Sequence, residues 1–145
     1  REEGARMLLV LLGFVDEIET LSGAARTLAA AQPDAIAARV KNQIAEFLEA
    51  SQSPPEDRLA QEIAMMVGKA DIREEIDRLD AHIAQARELL ASGDAVGRRL
   101  DFLSQEFNRE ANTLCSKSQD LELTRTGLAL KAAIEQFREQ VQNIQ

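Results

Sequence analysis

The sequence lacks several residue types on which many functional sites depend. Its 145 residues include one cysteine, Cys115, so no disulfide can form within the chain, and we expect a cytoplasmic protein. Tyrosine and tryptophan are absent, and aromatic residues make up only 3% of the chain. The five phenylalanines are expected by default to lie in the core. There is no glycine-rich phosphate loop, no GxSxG motif, and no zinc-type spacing of His and Cys. These absences exclude the commonest sequence signatures of nucleotide, hydrolase and zinc sites.

Long hydrophobic runs are absent as well. The apolar run from Met7 to Leu12 is too short to span a bilayer, and no signal-peptide pattern is present. We therefore expect no membrane partner. Because the chain begins with Arg1, we also expect it to be a fragment of a longer protein.

Alanine and leucine are abundant, and hydrophobic residues make up 45% of the chain, a composition that favours helices over strands. Apolar residues recur at spacings of three and four in six segments, near residues 1–31, 34–50, 56–70, 71–92, 97–115 and 121–145. We predict an all-α, elongated helical bundle of about six helices. The last helix has a coiled-coil-like seam from Leu123 to Ile144, in which Gly127 is the weak point.

The charge is strongly acidic but unevenly distributed. A net charge of −8 argues against a non-specific nucleic-acid surface. Residues 1–96 contain 10 basic and 18 acidic side chains, whereas residues 97–145 contain 7 of each. Any RNA contact is therefore expected to be local, around Arg98, Arg99, Arg109 and Lys117.

The segment from Gly97 to Asp120 reads GRRLDFLSQEFNREANTLCSKSQD. Its apolar residues form one helical stripe, while its polar residues form two further rows. One row contains Asp101, Gln105, Asn108 and Asn112, and the other contains Glu106, Glu110 and Lys117. The first row is expected either to hydrogen-bond RNA or to bridge to another helix of the bundle.

Four stretches carry a resemblance to a known family. They are RLAQEIA (58–64), KADIREEIDRL (69–79), the segment 97–120 and the terminal EQVQNIQ. They resemble the C-terminal domain of the YicC/YloC-like proteins, bacterial proteins regarded as endoribonucleases. The resemblance implies that residues 56–145 form this domain, that residues 1–55 are linking helices from the middle of the full-length protein, and that an N-terminal half is missing. It further implies cleavage of structured single-stranded or hairpin RNA, dependence on a divalent cation, and a hexameric ring, with no role for DNA.

The residues themselves indicate where such chemistry would lie. Gly93 and Asp94 form a short turn between the fourth and fifth predicted helices, which should pack antiparallel. Counting outward from this turn places His82 level with Gln105, Arg78 with Arg109, and Glu75 with Asn112. Helical-wheel positions then place Asp71, Glu75, Arg78 and His82 along the groove edge that meets Glu106 and Glu110, with Arg99 nearby.

Such a groove suits phosphodiester cleavage by one of two mechanisms. Carboxylates with a metal would activate water, whereas a histidine would activate the ribose 2′-hydroxyl without a metal. The resemblance favours the first. The predicted catalytic residues are His82, Glu75, Glu106 and Glu110, and the three glutamates are also the predicted metal ligands. The predicted substrate contacts are Arg78, Arg98, Arg99, Asn108, Arg109, Asn112 and Lys117.

Each of these residues also has a structural interpretation. A single histidine at the edge of an apolar stripe commonly bonds a neighbouring carboxylate, and Glu–Arg spacings of three or four commonly form surface ion pairs. The alternative function is a non-catalytic module for oligomerisation or RNA clamping. The seam of the last helix and the two apolar faces of the first helix favour that alternative.

Overall fold

The computed structural model describes residues 2–47, 55–92 and 97–144, and all of its regular secondary structure there is helical. The helices are α1 (Glu2–Ala30), α2 (Gln32–Phe47), α3 (Glu56–Ala70), α4 (Arg73–Ser92), α5 (Gly97–Lys117) and α6 (Leu121–Asn143). The all-α helical bundle is therefore confirmed. The predicted break at residues 51–55 lies outside the described residues except for Pro55, and the turn at Gly93 and Asp94 lies outside them entirely.

Four of the helices share one core. Helix α1 packs against α4 and α6, and α5 packs against the same two helices, so these four helices enclose a single apolar interior. Phe107 of α5 lies near its centre, fully buried, with its ring edge-on to Phe137 of α6 at a centroid distance of 6.0 Å. Every residue of the predicted apolar stripes of α4 and α5 is buried, because a strict three-four spacing places all of them on one face.

Ion pairs show the direction of packing between α1 and α4. Arg26 near the end of α1 contacts Asp77 and Asp80 near the start of α4, while Arg87 near the end of α4 contacts residues near the middle of α1, Asp16 and Glu19. The two helices are therefore antiparallel. These pairs lie on the surface, so they fix the register of the helices more than they stabilise the fold.

Helices α2 and α3 form a smaller unit beside the bundle. Their shared cluster buries only Ile36, Val40 and Ala70, with the other apolar residues half-buried around them. Phe47 and Leu48 are alternative core residues of the second predicted helix; Phe47 is 81% exposed, and Leu48 lies outside the described residues. Because two helices alone cannot enclose an apolar interior, this unit has much less buried surface than the four-helix bundle.

Two helix starts differ from the prediction. Helix α2 begins at Gln32, so Pro33 lies in its first turn, where a missing N–H costs nothing. Helix α4 begins at Arg73, whereas the prediction placed its start at Asp71. Asp71 has extended backbone angles and accepts the backbone N–H of Arg73 with its carboxylate at 3.0 Å. It therefore ends α3 and orients the first turn of α4.

The seam of α6 lies inside the chain. Leu123, Gly127, Leu130, Ile134, Phe137 and Val141 are buried, in contact with the other bundle helices, and only Ile144 at its end is exposed. The interpretation of this seam as an intersubunit contact is therefore wrong: intramolecular packing occupies it.

Gly127 has a packing role instead of weakening α6. A Cβ at this position would lie 2.6 Å from Sγ of Cys115 and 3.0 Å from Cδ2 of Leu114. Helix α6 continues through Gly127 without a break. The glycine therefore allows α5 and α6 to approach more closely than any side chain would permit.

Candidate functional site

The α4–α5 groove brings together part of the predicted site. Arg78 donates from Nε to Oε2 of Glu110 at 2.7 Å, and Lys117 donates from Nζ to Glu75 at 3.0 Å. Glu75 precedes Arg78 in α4, whereas its partner Lys117 follows Glu110 in α5. The predicted antiparallel packing of α4 and α5 is therefore confirmed. Counting outward from the predicted turn placed Arg78 level with Arg109, which is one residue before its observed partner Glu110.

Two carboxylates in this groove are buried. Glu75 is 2% exposed and Glu110 is 4% exposed. Arg78 also donates to Glu75 at 3.3 Å, and Lys117 also donates to the backbone oxygen of Asp71 at 3.2 Å. We call Glu75, Arg78, Glu110 and Lys117 the groove cluster. Its two negative and two positive side chains neutralise one another within the chain.

The cations of the groove cluster are more accessible than its acids. The side chain of Arg78 is 48% exposed and that of Lys117 is 34% exposed. The hydrogen bond to Glu110, together with the nearby negative charges, raises the pKa of Arg78 above its ordinary value, so the guanidinium stays charged. An anion arriving from solvent would reach Arg78 before it reached either carboxylate.

His82 lies apart from the acids with which it was grouped. Its ring packs edge-on to Phe107 at 6.0 Å, and its two ring nitrogens are shielded from solvent. Neither nitrogen forms a hydrogen bond with any residue that the structure describes. The ring instead lines a surface cavity together with Arg99 and Phe102. The other residues that line this cavity are the polar Gln85 and Glu88 and the apolar Leu89 and Leu103.

Glu106 and Arg109 are also outside the groove cluster. The closest contact between them is 3.9 Å, from Nη1 of Arg109 to Oε1 of Glu106, and the arginine side chain is 76% exposed. Of the residues predicted to share one groove, Glu75, Arg78 and Glu110 are in contact. His82, Arg99 and Glu106 make no hydrogen bond to these three among the described residues.

The polar row of α5 makes few contacts with the bundle. Asp101 lies 3.9 Å from Arg138 of α6 and accepts a long bond of 3.4 Å from Gln105. The side chains of Asn108 and Asn112 bond to none of the described residues, and Asn112 is exposed. Within the described part of the chain, bridging from this row is therefore confined to Asp101, and the exposed Asn112 is available to a partner.

The predicted metal ligands do not assemble in the described part of the chain, where no three His, Cys, Asp or Glu side chains are placed to hold an ion. Glu75 and Glu110 already bond to cationic side chains, and Glu106 lies at the groove edge with its side chain 26% exposed. In this arrangement, the donor set does not fit a divalent cation, which needs several free oxygen ligands.

Sequence reasoning missed two features of this region. Lys117 was expected to contact RNA, but it bonds to Glu75 across the groove. Phe102 was treated as a core residue by default, yet it is 61% exposed. The signal for Phe102 was present in the sequence, because it lies more than a quarter turn outside the apolar stripe of α5.

No helix in residues 2–47, 55–92 or 97–144 combines the length and the apolar character needed to cross a membrane.

Comparison with known proteins agrees with the resemblance. The family described as "Endoribonuclease YicC-like, C-terminal" matches residues 25–145. A protein of Haemophilus influenzae named "Probable endoribonuclease YicC" is 47% identical over 88 residues, which are 61% of this chain and 31% of that protein. A protein of Clostridioides difficile with the same name is 44% identical over 103 residues, which are 71% of this chain and 35% of that protein. The chain matches about a third of the length of these relatives, and it belongs to the family of YicC-like endoribonuclease C-terminal domains.

Proposed function

We propose that this chain is part of an endoribonuclease that cleaves structured single-stranded or hairpin RNA. The names of the two relatives support RNA cleavage as the activity of the whole protein. The same proposal includes self-association of the whole protein, as a hexamer, and a cytoplasmic location. Because the match covers about a third of each relative, other parts of the whole protein are expected to contribute to catalysis.

The observation that carries the proposal is the burial of Glu75 and Glu110 in the groove cluster. Burying charges is costly, and well-packed apolar residues stabilise a helix interface equally well or better. Side chains that are buried and charged in a cleft are therefore candidates for chemistry.

Arg78 is the residue of the groove cluster best placed to act on RNA. A guanidinium can stabilise the negative charge that develops on a phosphodiester as the attacking oxygen approaches the phosphorus. Glu110 bonds to Nε of Arg78 and would hold its planar group in one orientation. Glu74, whose closest contact with Arg78 is 3.6 Å, is 83% exposed, so a phosphate could replace it.

His82 is the proposed proton acceptor. It lies four residues after Arg78, on a similar side of α4. Because both ring nitrogens are shielded, the ring must rotate away from Phe107 before it takes a proton from a 2′-hydroxyl or a water. We also propose dependence on a divalent cation, but we assign no step to it, because the predicted ligands do not fit one in this arrangement.

The alternative function is a non-catalytic RNA-clamping or oligomerisation module within the same enzyme. The internal neutralisation of the groove cluster favours it, since neither carboxylate is free to act as a base or as a ligand. In that case, the cutting site would lie elsewhere in the whole protein.

One experiment separates these two functions. The whole protein that contains this chain would be incubated with an end-labelled hairpin RNA, with Mg²⁺ or Mn²⁺ or with EDTA, and the products resolved on a denaturing gel. Cleavage that falls about 100-fold or more in Arg78→Lys and His82→Ala supports the proposed site. Weaker RNA binding in these variants, with unchanged cleavage of the RNA that is bound, supports the clamping module. Normal cleavage by both variants would show that the groove is not the active site, and cleavage unaffected by EDTA would overturn the cation proposal.

A control variant is available on the same helix. Arg87→Lys alters an arginine whose ion pairs, among the residues that the structure describes, are with surface acids of α1, so this variant should cleave like the unmodified protein. Circular dichroism of each variant checks that a loss of cleavage is not a loss of the fold.

A further inference from the structure

The solvent-facing side of α5 differs from the rest of the surface. Six exposed residues follow one another at spacings of three and four along the helix, and none is acidic. We call them the outward stripe: Arg98, Phe102, Gln105, Arg109, Asn112 and Ser116. The exposed sides of the other bundle helices do carry acids, among them Asp16 and Glu17 on α1, Asp77 and Asp80 on α4, and Glu135 and Glu139 on α6.

The outward stripe has no evident structural role within the chain. Arg98 lies in the first turn of α5, where a positive charge opposes the helix dipole, and that turn contains no acid to offset it. Arg98 pairs with no carboxylate among the described residues. The only ion pair of Arg109 there is the 3.9 Å contact with Glu106. Phe102 exposes 61% of its surface to solvent. These features cost stability unless a partner covers them.

We propose that the outward stripe binds single-stranded RNA. Arg98 and Arg109 contact phosphates, Phe102 stacks on a base, and the amides of Gln105 and Asn112 hydrogen-bond to base edges. The stripe spans 19 residues, and its two ends lie about 27 Å apart along the helix, which is long enough for several nucleotides. The proposal rests on RNA as the substrate class of the proposed function, and it places binding on a side of α5 different from the groove cluster.

The composition of the stripe favours unpaired RNA over the alternatives. An exposed aromatic ring between two arginines is the arrangement that stacks unpaired bases while holding the backbone, and a duplex would not present bases to Phe102. A protein partner would be expected to meet a larger apolar patch, but Phe102 is the one apolar residue of the six. The lack of carboxylates, in a chain of net charge −8, complements a polyanion.

Fluorescence anisotropy with a labelled unstructured oligonucleotide of single-stranded RNA tests the proposal directly. Phe102→Ala should weaken binding by about 5- to 100-fold, the range for loss of one base–aromatic stack. Phe47→Ala is the matched control, because Phe47 is an exposed phenylalanine on α2, 81% exposed, and this variant should bind RNA normally. Equal effects of the two variants, or no binding of RNA by the unmodified chain, would overturn the proposal.

Salt dependence tests the two arginines separately. Arg98→Gln and Arg109→Gln should each lower the slope of log K against log salt by about 0.7, the value for one phosphate contact on a single strand. Arg87→Gln removes the same charge from an arginine bonded to acids on α1, and it should leave the slope unchanged. Three equal slopes would mean that net charge, and not the stripe, governs binding.

The same measurements distinguish failure of this proposal from failure of the proposed function. Tight, stripe-dependent binding without cleavage supports the stripe and shows that this chain alone does not cut RNA. Cleavage that is unaffected by Phe102→Ala keeps the activity and rejects the stripe. Normal RNA binding by Phe102→Ala, combined with a lower mass in solution, would show that the stripe is an interface between copies of the chain, and this result would also reject the proposal.

Discussion

Charged residues on two sides of α5 differ in their burial and in their ion pairing. On the side facing α4, Glu110 is 4% exposed and bonds to Arg78 at 2.7 Å. On the side facing solvent, Arg109 is 76% exposed, and its nearest carboxylate is 3.9 Å away. The helix therefore separates charges that neutralise each other inside the fold from charges that remain available to a partner. Changes on the first side should alter stability, and changes on the second should alter binding.

The largest expected difference is between two phenylalanines of the same helix. Phe107 is fully buried, whereas Phe102 is 61% exposed. Phe107→Ala should lower the free energy of unfolding by about 3–5 kcal/mol, because it leaves a cavity between α4, α5 and α6. Phe102→Ala should change it by less than about 0.5 kcal/mol. Urea unfolding followed by circular dichroism measures both values, and similar losses would show that the two sides are not distinct.

The next largest effect is expected from the paired arginine. Arg78→Met leaves Glu110 buried without a cation, so it should destabilise the chain several times more than Arg109→Met does. The double variant Arg78→Met with Glu110→Met should recover most of the loss, because two apolar side chains can replace a buried pair. The measurement is a double-mutant cycle in urea. If the double variant were as unstable as Arg78→Met alone, the pair would not be the cause.

These contrasts show which parts of the fold and the candidate site can be predicted from sequence. Periodicity identified every core residue of α4 and α5, because the side of a helix on which a residue lies depends only on spacing. Periodicity could not identify which helix or subunit packs against each apolar face. The seam of α6 therefore suggested another subunit, although its residues are buried within the chain.

The same limit applies to the site. Counting from the turn placed Arg78 one residue from Glu110, because antiparallel register is a property of the backbone. It could not foresee that the long side chain of Lys117 reaches Glu75, nor that the ring of His82 turns towards Phe107. Side-chain length and rotamer decide these contacts, and neither is encoded in residue spacing.

A third side of α5 faces α6, and we expect a substitution at this contact to change the stability by a smaller amount. Gly127→Ala places a methyl group 2.6 Å from Sγ of Cys115, so it should destabilise the chain by about 1 kcal/mol despite the higher helix propensity of alanine. Gly23→Ala in α1, where nothing lies within 4 Å, should instead stabilise it by about 0.5–1 kcal/mol. Adding Cys115→Ala should relieve the first effect and not alter the second. Equal thermal shifts for the two glycine variants would contradict close packing at Gly127.

The smallest effect is expected at Asp71, beside the groove cluster. Hydrogen bonds from the Arg73 side chain, and then from its backbone N–H, lower the pKa of Asp71 below its ordinary value. A carboxylate whose pKa is lower in the folded state stabilises the fold above its unfolded pKa, near 3.9, and this contribution disappears as the pH falls through the lower folded value. The difference in unfolding free energy between the unmodified chain and Asp71→Asn should therefore be constant from about pH 5 to pH 7 and shrink below about pH 4. A difference that grew on acidification would mean that the carboxylate is strained, not stabilised, where α3 meets α4. In that case, the backbone oxygen of Asp71 that Lys117 contacts would not be held by this turn.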